Sequence, residues 1–147
     1  MKQVSRSALV SFSTQQMFDL VNDVASYPEF LPGCSGARVI ESSHSSMVAA
    51  VDVSKAGISK TFTTSNELVN GEAILMSLVD GPFKSLKGGW FFTELDEKAC
   101  KVELKLEFEF SSKMVEMAFG KIFSELTGNM VNAFTQRAKQ VYTCYEY

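Results

Sequence analysis

The chain has 147 residues, 46% hydrophobic and 21% charged, with a formal net charge of −3. That balance fits one folded domain spanning 1–147 and excludes a disordered chain and nonspecific nucleic-acid binding by bulk charge. No apolar run approaches the roughly 20 residues of a membrane span, and "MKQVSRSALVSF" is no signal peptide, so a cytoplasmic protein is expected.

Residues 3–12 alternate well enough for a strand. Ser13 with Gln16 three residues on forms a capping box, and Met17, Leu20, Val21 and Val24 then repeat at helical spacing. Tyr27-Pro28 is expected to end that helix, because the residue before proline is pushed out of the α region. Phe30 and Leu31 follow on a short helical turn or loop closed by Pro32-Gly33. From Ala37 to Phe110 the chain reads as a strand meander, with strands at 38–42, 46–54, 58–68, 72–79, 87–95 and 101–110. Asn70-Gly71 is a strong hairpin signal before the fourth of these. In the last, Val102, Leu104, Leu106, Phe108 and Phe110 share one face, and Lys101, Glu103, Lys105, Glu107 and Glu109 the other. Such alternation means one face of an antiparallel sheet is covered and the other is wet.

Residues 112–142 supply the cover. They contain no proline and place Val115, Phe119, Ile122, Leu126, Met130 and Phe134 at steps of three and four. A helix of up to about 30 residues is roughly 45 Å long. Gly120 and Gly128 are expected to let it bend over the sheet. The order predicts an α+β fold in which a seven-stranded antiparallel sheet packs on one long C-terminal helix. A curved sheet around one helix leaves room at one end for an apolar ligand.

Charge is unevenly spread: residues 12–53 carry a net −4 and residues 112–142 a net +2. Cys34, Cys100 and Cys144 are odd in number and outside any CxxC pattern, which points to a reducing compartment. His44, the single histidine, sits in a serine-rich turn, so neither a nucleophile triad nor a metal site is indicated. No phosphate loop or dinucleotide fingerprint is present, and a non-enzymatic protein is expected. The chain does hold twelve Phe, seven Met, four Tyr and one Trp. Most read as core. Phe30, Phe83 and Leu86 are surrounded by turn residues, and are expected to form an apolar gate at the rim of the sheet–helix cleft, with Lys84 and Lys87 in water beside it.

The segments "LVNDVASYPEFLPGC", "VDVSKAGISKTFTTSN", "LVDGPFKSLKGGWFF" and "AFGKIFSELTGNMVNAFTQRAKQVY" resemble, in order, the coenzyme-Q-binding branch of the START-like (SRPBCC, polyketide cyclase) superfamily and its ribosome-associating toxins. The resemblance runs from about Val4 to Tyr142. The Tyr-Pro-x-Phe-x-Pro run at 27–32 and the Gly-Pro-Phe-x-x-Leu run at 81–86 are its most specific parts. Gly33 departs from it, since many quinone-binding relatives carry tryptophan there.

The resemblance implies the helix-grip fold, with two short helices after the first strand and an apolar tunnel under the long helix. It implies association with the large ribosomal subunit, inhibition of subunit joining and of translation initiation, and an antitoxin partner. The alternative it implies is binding or delivery of ubiquinone or another long-chain lipid, with no required cofactor. The expected ligand walls or gate are Tyr27, Phe30, Leu31, Phe62, Phe83, Leu86, Trp90, Phe119, Phe123, Met130 and Phe134. The expected contacts to an anionic partner or RNA are Lys55, Lys60, Lys84, Lys87, Lys121, Arg137 and Lys139. A cyclase-type enzyme would need buried polar groups in the cleft, for which Tyr27, Thr61 and Asn66 are the candidates.

Overall fold

Ser13 opens the first helix as a complete capping box: its Oγ accepts from the Gln16 N–H at 3.1 Å, and Gln16 Oε1 accepts from the Ser13 N–H at 2.9 Å. Two otherwise orphaned donors are thereby satisfied. Ser13→Ala is expected to cost about 1 kcal/mol of folding stability, read as a lowered urea midpoint. In this computed structural model, which describes residues 2–55 and 57–142, the helix (α1) spans Thr14–Asn22 and follows strand β1, Lys2–Val10.

The helix does not run on to Tyr27-Pro28. It stops at Asn22, and the chain tightens into a 3-10 helix, Val24–Glu29, that contains Pro28. The buried Tyr27 folds back and donates its phenol hydrogen to the Val21 carbonyl, satisfying an acceptor that the end of α1 would leave open.

Six strands follow: β2 Cys34–Ser42, β3 Ser46–Lys55, β4 Ile58–Val69, β5 Ala73–Asp80, β6 Phe83–Asp96 and β7 Ala99–Phe110. With β1 they form one antiparallel sheet in the order β1-β7-β6-β5-β4-β3-β2, where β1 closes onto the last strand and not onto its neighbour in sequence. The long helix α2, Lys113–Tyr142, lies against the inner face. Phe119, Phe123, Leu126, Phe134 and Ala138 from the helix bury against Val102, Leu104, Leu106, Phe108 and Phe110 of β7. This is the helix-grip fold.

Strand β6 begins at Phe83, not at Lys87. A bulge between Phe83 and Ser85 adds one residue against β7, pairing Phe83 with Phe110 but Leu86 with Phe108. Simple alternation would send residues 83 and 86 to opposite faces; the extra residue turns both inward. Phe83 and Leu86 are only 6% and 5% exposed, so neither lies in an open turn. Strand β2 likewise starts at Cys34 rather than Arg38, with register shifts that interrupt its pattern. Cys34 and Cys100 are buried free thiols, and Cys144 lies outside the described residues.

Candidate functional site

Between the sheet and α2 lies a partly enclosed cavity of about 60 Å³. Of the side chains expected to face a ligand, Tyr27, Leu31, Phe62, Leu86, Trp90, Phe123 and Met130 are on its wall. The other four are not. Phe83 and Phe119 belong to an aromatic cluster at one end, with the Phe83 ring 4.8 Å from Phe123 and 5.3 Å from Phe110. Phe134 stands behind the wall, its ring 5.2 Å from both Trp90 and Tyr27. Phe30 stacks edge-on against Phe134 at 5.1 Å, under the Arg137 guanidinium.

Strands β3 and β4 complete the wall through Ala49, Val51, Thr64 and Asn66, none of which the aromatic inventory singles out. Their common signal is parity. Residues 62, 64 and 66 alternate with outward neighbours; Asn66 is one of the polar candidates expected in the cleft, while Thr64, polar on a strand, reads as solvent-facing. Thr64 and Asn66 are 7% and 6% exposed. Thr61, the third polar candidate beside Tyr27 and Asn66, donates to Asp52 at 2.5 Å on the exposed face. That bond, reinforced by Arg38, holds the Asp52 carboxyl below the usual carboxylate range.

Size decides what the cavity admits as it stands. A water needs roughly 10–15 Å³ of such space, and drug-sized sites run to several hundred. About 60 Å³ therefore holds a few small groups but no polyisoprenoid quinone. Met76, Met130 and Leu126 are the movable parts of the wall. Leu126 also forms one side of a surface groove of about 270 Å³ that includes Gly33, Ser54, Lys55, Glu125 and Asn129. Leu126 is thus common to groove and cavity.

Burial sets the ionisation of the buried groups. It drives the Tyr27 phenol well above its ordinary range, so the group stays a neutral donor to Val21. It raises the Cys34 thiol and pushes that of Cys100 up to about 11, which keeps both protonated. Among the described residues no group of three or more His, Cys, Asp or Glu is placed to hold a metal.

The seven expected cations are distributed over several surfaces. Lys84 and Lys87 stand on the outer face of the sheet, 3.6 Å and 3.8 Å from Glu109 and Glu107. Lys55 bonds Glu125 across the mouth of the groove, holding that exposed carboxyl below its usual range. Arg137 pairs with Glu29 at 2.8 Å. Lys60 lies on β4, and Lys121 and Lys139 lie on α2. Lys121 adds its charge to that of Lys55 on Glu125.

A long helix gripped by a seven-stranded sheet over an apolar cavity is the architecture of the START-like lipid and polyketide proteins. The chain belongs to the polyketide cyclase / dehydrase and lipid transport family, whose model matches residues 10–135. The aromatase/cyclase Zhui from a Streptomyces species superposes with a TM-score of 0.85 over 98% of each chain at 16% identity, a likeness of fold. Within the family, the chain belongs with the ribosome association toxins of the RatA type. The Vibrio cholerae protein of that name is 80% identical over 142 residues, covering 97% of this chain and 99% of its own. A more distant relative is the mitochondrial coenzyme Q-binding protein COQ10 homolog B of Xenopus laevis. It is 26% identical over 95% of this chain, which spans 59% of that protein.

Proposed function

We propose that the protein binds the large ribosomal subunit, blocks its joining to the small subunit and so inhibits translation initiation, acting in the cytoplasm as a binding protein and not as an enzyme. The observation that carries this is the 80% identity, almost end to end, with a ribosome association toxin. An antitoxin partner belongs to the same reading. An acidic chain can still dock on ribosomal RNA through local cations, and Lys60 on β4 and Lys121 on α2, which also acts on Glu125, are candidates.

Sucrose gradients after expression should show free subunits rising at the expense of whole ribosomes. Lys60→Glu with Lys121→Glu should weaken binding and flatten its salt dependence by about one unit of log–log slope for each phosphate no longer neutralised. Unchanged gradients from cells that accumulate the folded protein would overturn the proposal. No helix among the described residues is long and apolar enough to cross a membrane.

A second reading is favoured by the cavity itself: an apolar ligand, of the polyisoprenoid quinone or long-chain lipid class, occupies the space under α2 once the wall yields. Its support is the apolar wall with few polar groups, together with the coenzyme Q-binding relative. Burial of an alkyl tail contributes about 25 cal/mol per Å² removed from water.

A further inference from the structure

Four hydroxyl or amide side chains reach the cavity wall: Tyr27, Thr64, Asn66 and Thr127. Three give their hydrogen to the protein. Tyr27 donates to the Val21 carbonyl, and Thr127 Oγ1 to the Phe123 carbonyl one turn back at 3.0 Å. Thr64 Oγ1 donates to Asn66 Oδ1 at 2.8 Å. That last bond fixes the Asn66 amide by its oxygen and leaves its Nδ2 hydrogens without an acceptor among the described residues. Asn66 is nevertheless 94% buried, paired across the sheet with Met47 on one side and Met76 on the other. The Nδ2 atom is not itself sealed off; set among methionines, it is left to water unless a ligand accepts from it.

The chemistry of the wall limits what that acceptor is. Among the described residues no Lys, Arg or His lines the cavity, so a carboxylate or phosphate there would be an uncompensated buried charge. Among the described residues a cationic head has no carboxylate to meet on this wall. What fits is a neutral acceptor on an apolar body. Leu126 is the side chain common to cavity and groove. Its Cδ1 lies 3.9 Å from where a Cβ on Gly33 would stand, so a larger residue at 33 would press on it. The Lys55–Glu125 pair over the groove is solvent-exposed and costs little to open.

We propose that Asn66, held by Thr64, is the specificity-determining anchor of the cavity. It donates to a ring carbonyl of a ketone or quinone that enters polar end first, its chain leaving past Leu126 into the groove between Gly33 and Glu125. The proposal rests on the apolar-ligand reading above, and adds to it the polar determinant and the orientation.

Trp90, the one tryptophan of the chain, is on the cavity wall and reports occupancy by fluorescence. The probes are a decyl-substituted benzoquinone and decylbenzene, the latter offering no carbonyl. The quinone should give saturable quenching. Asn66→Leu should weaken quinone binding about tenfold while leaving decylbenzene binding unchanged. Equal quinone affinity in the wild type and Asn66→Leu overturns the anchor and leaves the apolar-ligand reading standing. Absence of saturable binding of either probe to the wild type overturns both. If Asn66→Leu does not fold, Thr64→Val decides. Loss of the preference for quinone over decylbenzene supports the anchor, and an unchanged preference overturns it.

Discussion

Gly88→Ala is expected to lose more than about 4 kcal/mol of stability, enough to leave little folded protein, where most single substitutions cost a fraction of that. Gly88 lies in β6 opposite Leu106 of β7, with φ at +148°, a backbone region that side chains avoid at a cost of roughly 1–3 kcal/mol. Contact makes it worse. A Cβ at this position would stand 2.0 Å from the Lys105 carbonyl oxygen and 2.8 Å from Leu106 Cα. Both are backbone atoms of a strand paired on each side, to β1 and to β6, so neither can move away cheaply. The same strand as Gly88 carries Leu86 and Trp90 to the cavity, and the site is lost with it. Gly57→Ala is the control. Its φ is +81°, but nothing lies within 4 Å of the added carbon, so it should cost only the intrinsic strain of about 1–2 kcal/mol. Urea unfolding and soluble yield separate the two, and equal midpoints would refute the clash.

The elements legible in the sequence are those whose own residues enforce them. β7 alternates without interruption for ten residues, 101–110, and α2 keeps its apolar steps without a proline. The capping box at Ser13 needs only four residues and forms as read. The misread parts depend on partners distant in the chain. The bulge at Phe83 is defined against β7, and without that partner Phe83 and Leu86 read as a protruding loop. The end of α1 is set partly by a Tyr27 hydrogen bond that no local pattern announces.

The site divides in the same way. Bulky aromatics are visible as candidates, but which of them face empty space and which face each other is a matter of packing: Phe123 does both, and Phe119 only the second. Thr64 looks like a solvent-facing strand residue because polarity, read alone, points outward, whereas Asn66 is expected in the cleft and lines it. The lysines beside Phe83 are correctly expected in water, yet their carboxylate partners on β7 come from the strand register. Replacing Phe83 or Leu86 therefore tests the core first and ligand entry only second.

Phe123 joins stability to the cavity, and Phe123→Ala is expected to cost about 3–5 kcal/mol. The ring is 1% exposed, packs 4.8 Å from Phe83, 4.9 Å from Phe108 and 5.8 Å from Phe62, and also lines the cavity. Its removal strips apolar packing from the core and leaves a void that three aromatic neighbours, each braced by others, do not fill. Met117→Ala, on the same helix at 86% exposure, should change stability by no more than about 0.5 kcal/mol. The enlarged void merges with a space of about 60 Å³ and becomes large enough for a small aromatic ring. A ligand that binds only the folded state stabilises it by about 2.7 kcal/mol at a hundred times its dissociation constant. Toluene should therefore restore part of the lost stability in Phe123→Ala and add less to the wild type, where a ring enters only after the wall yields. Urea midpoints measured with and without toluene check both halves. A loss below about 1 kcal/mol would place Phe123 outside the packed core, and equal toluene effects in the two proteins would mean that the wild-type wall already opens freely.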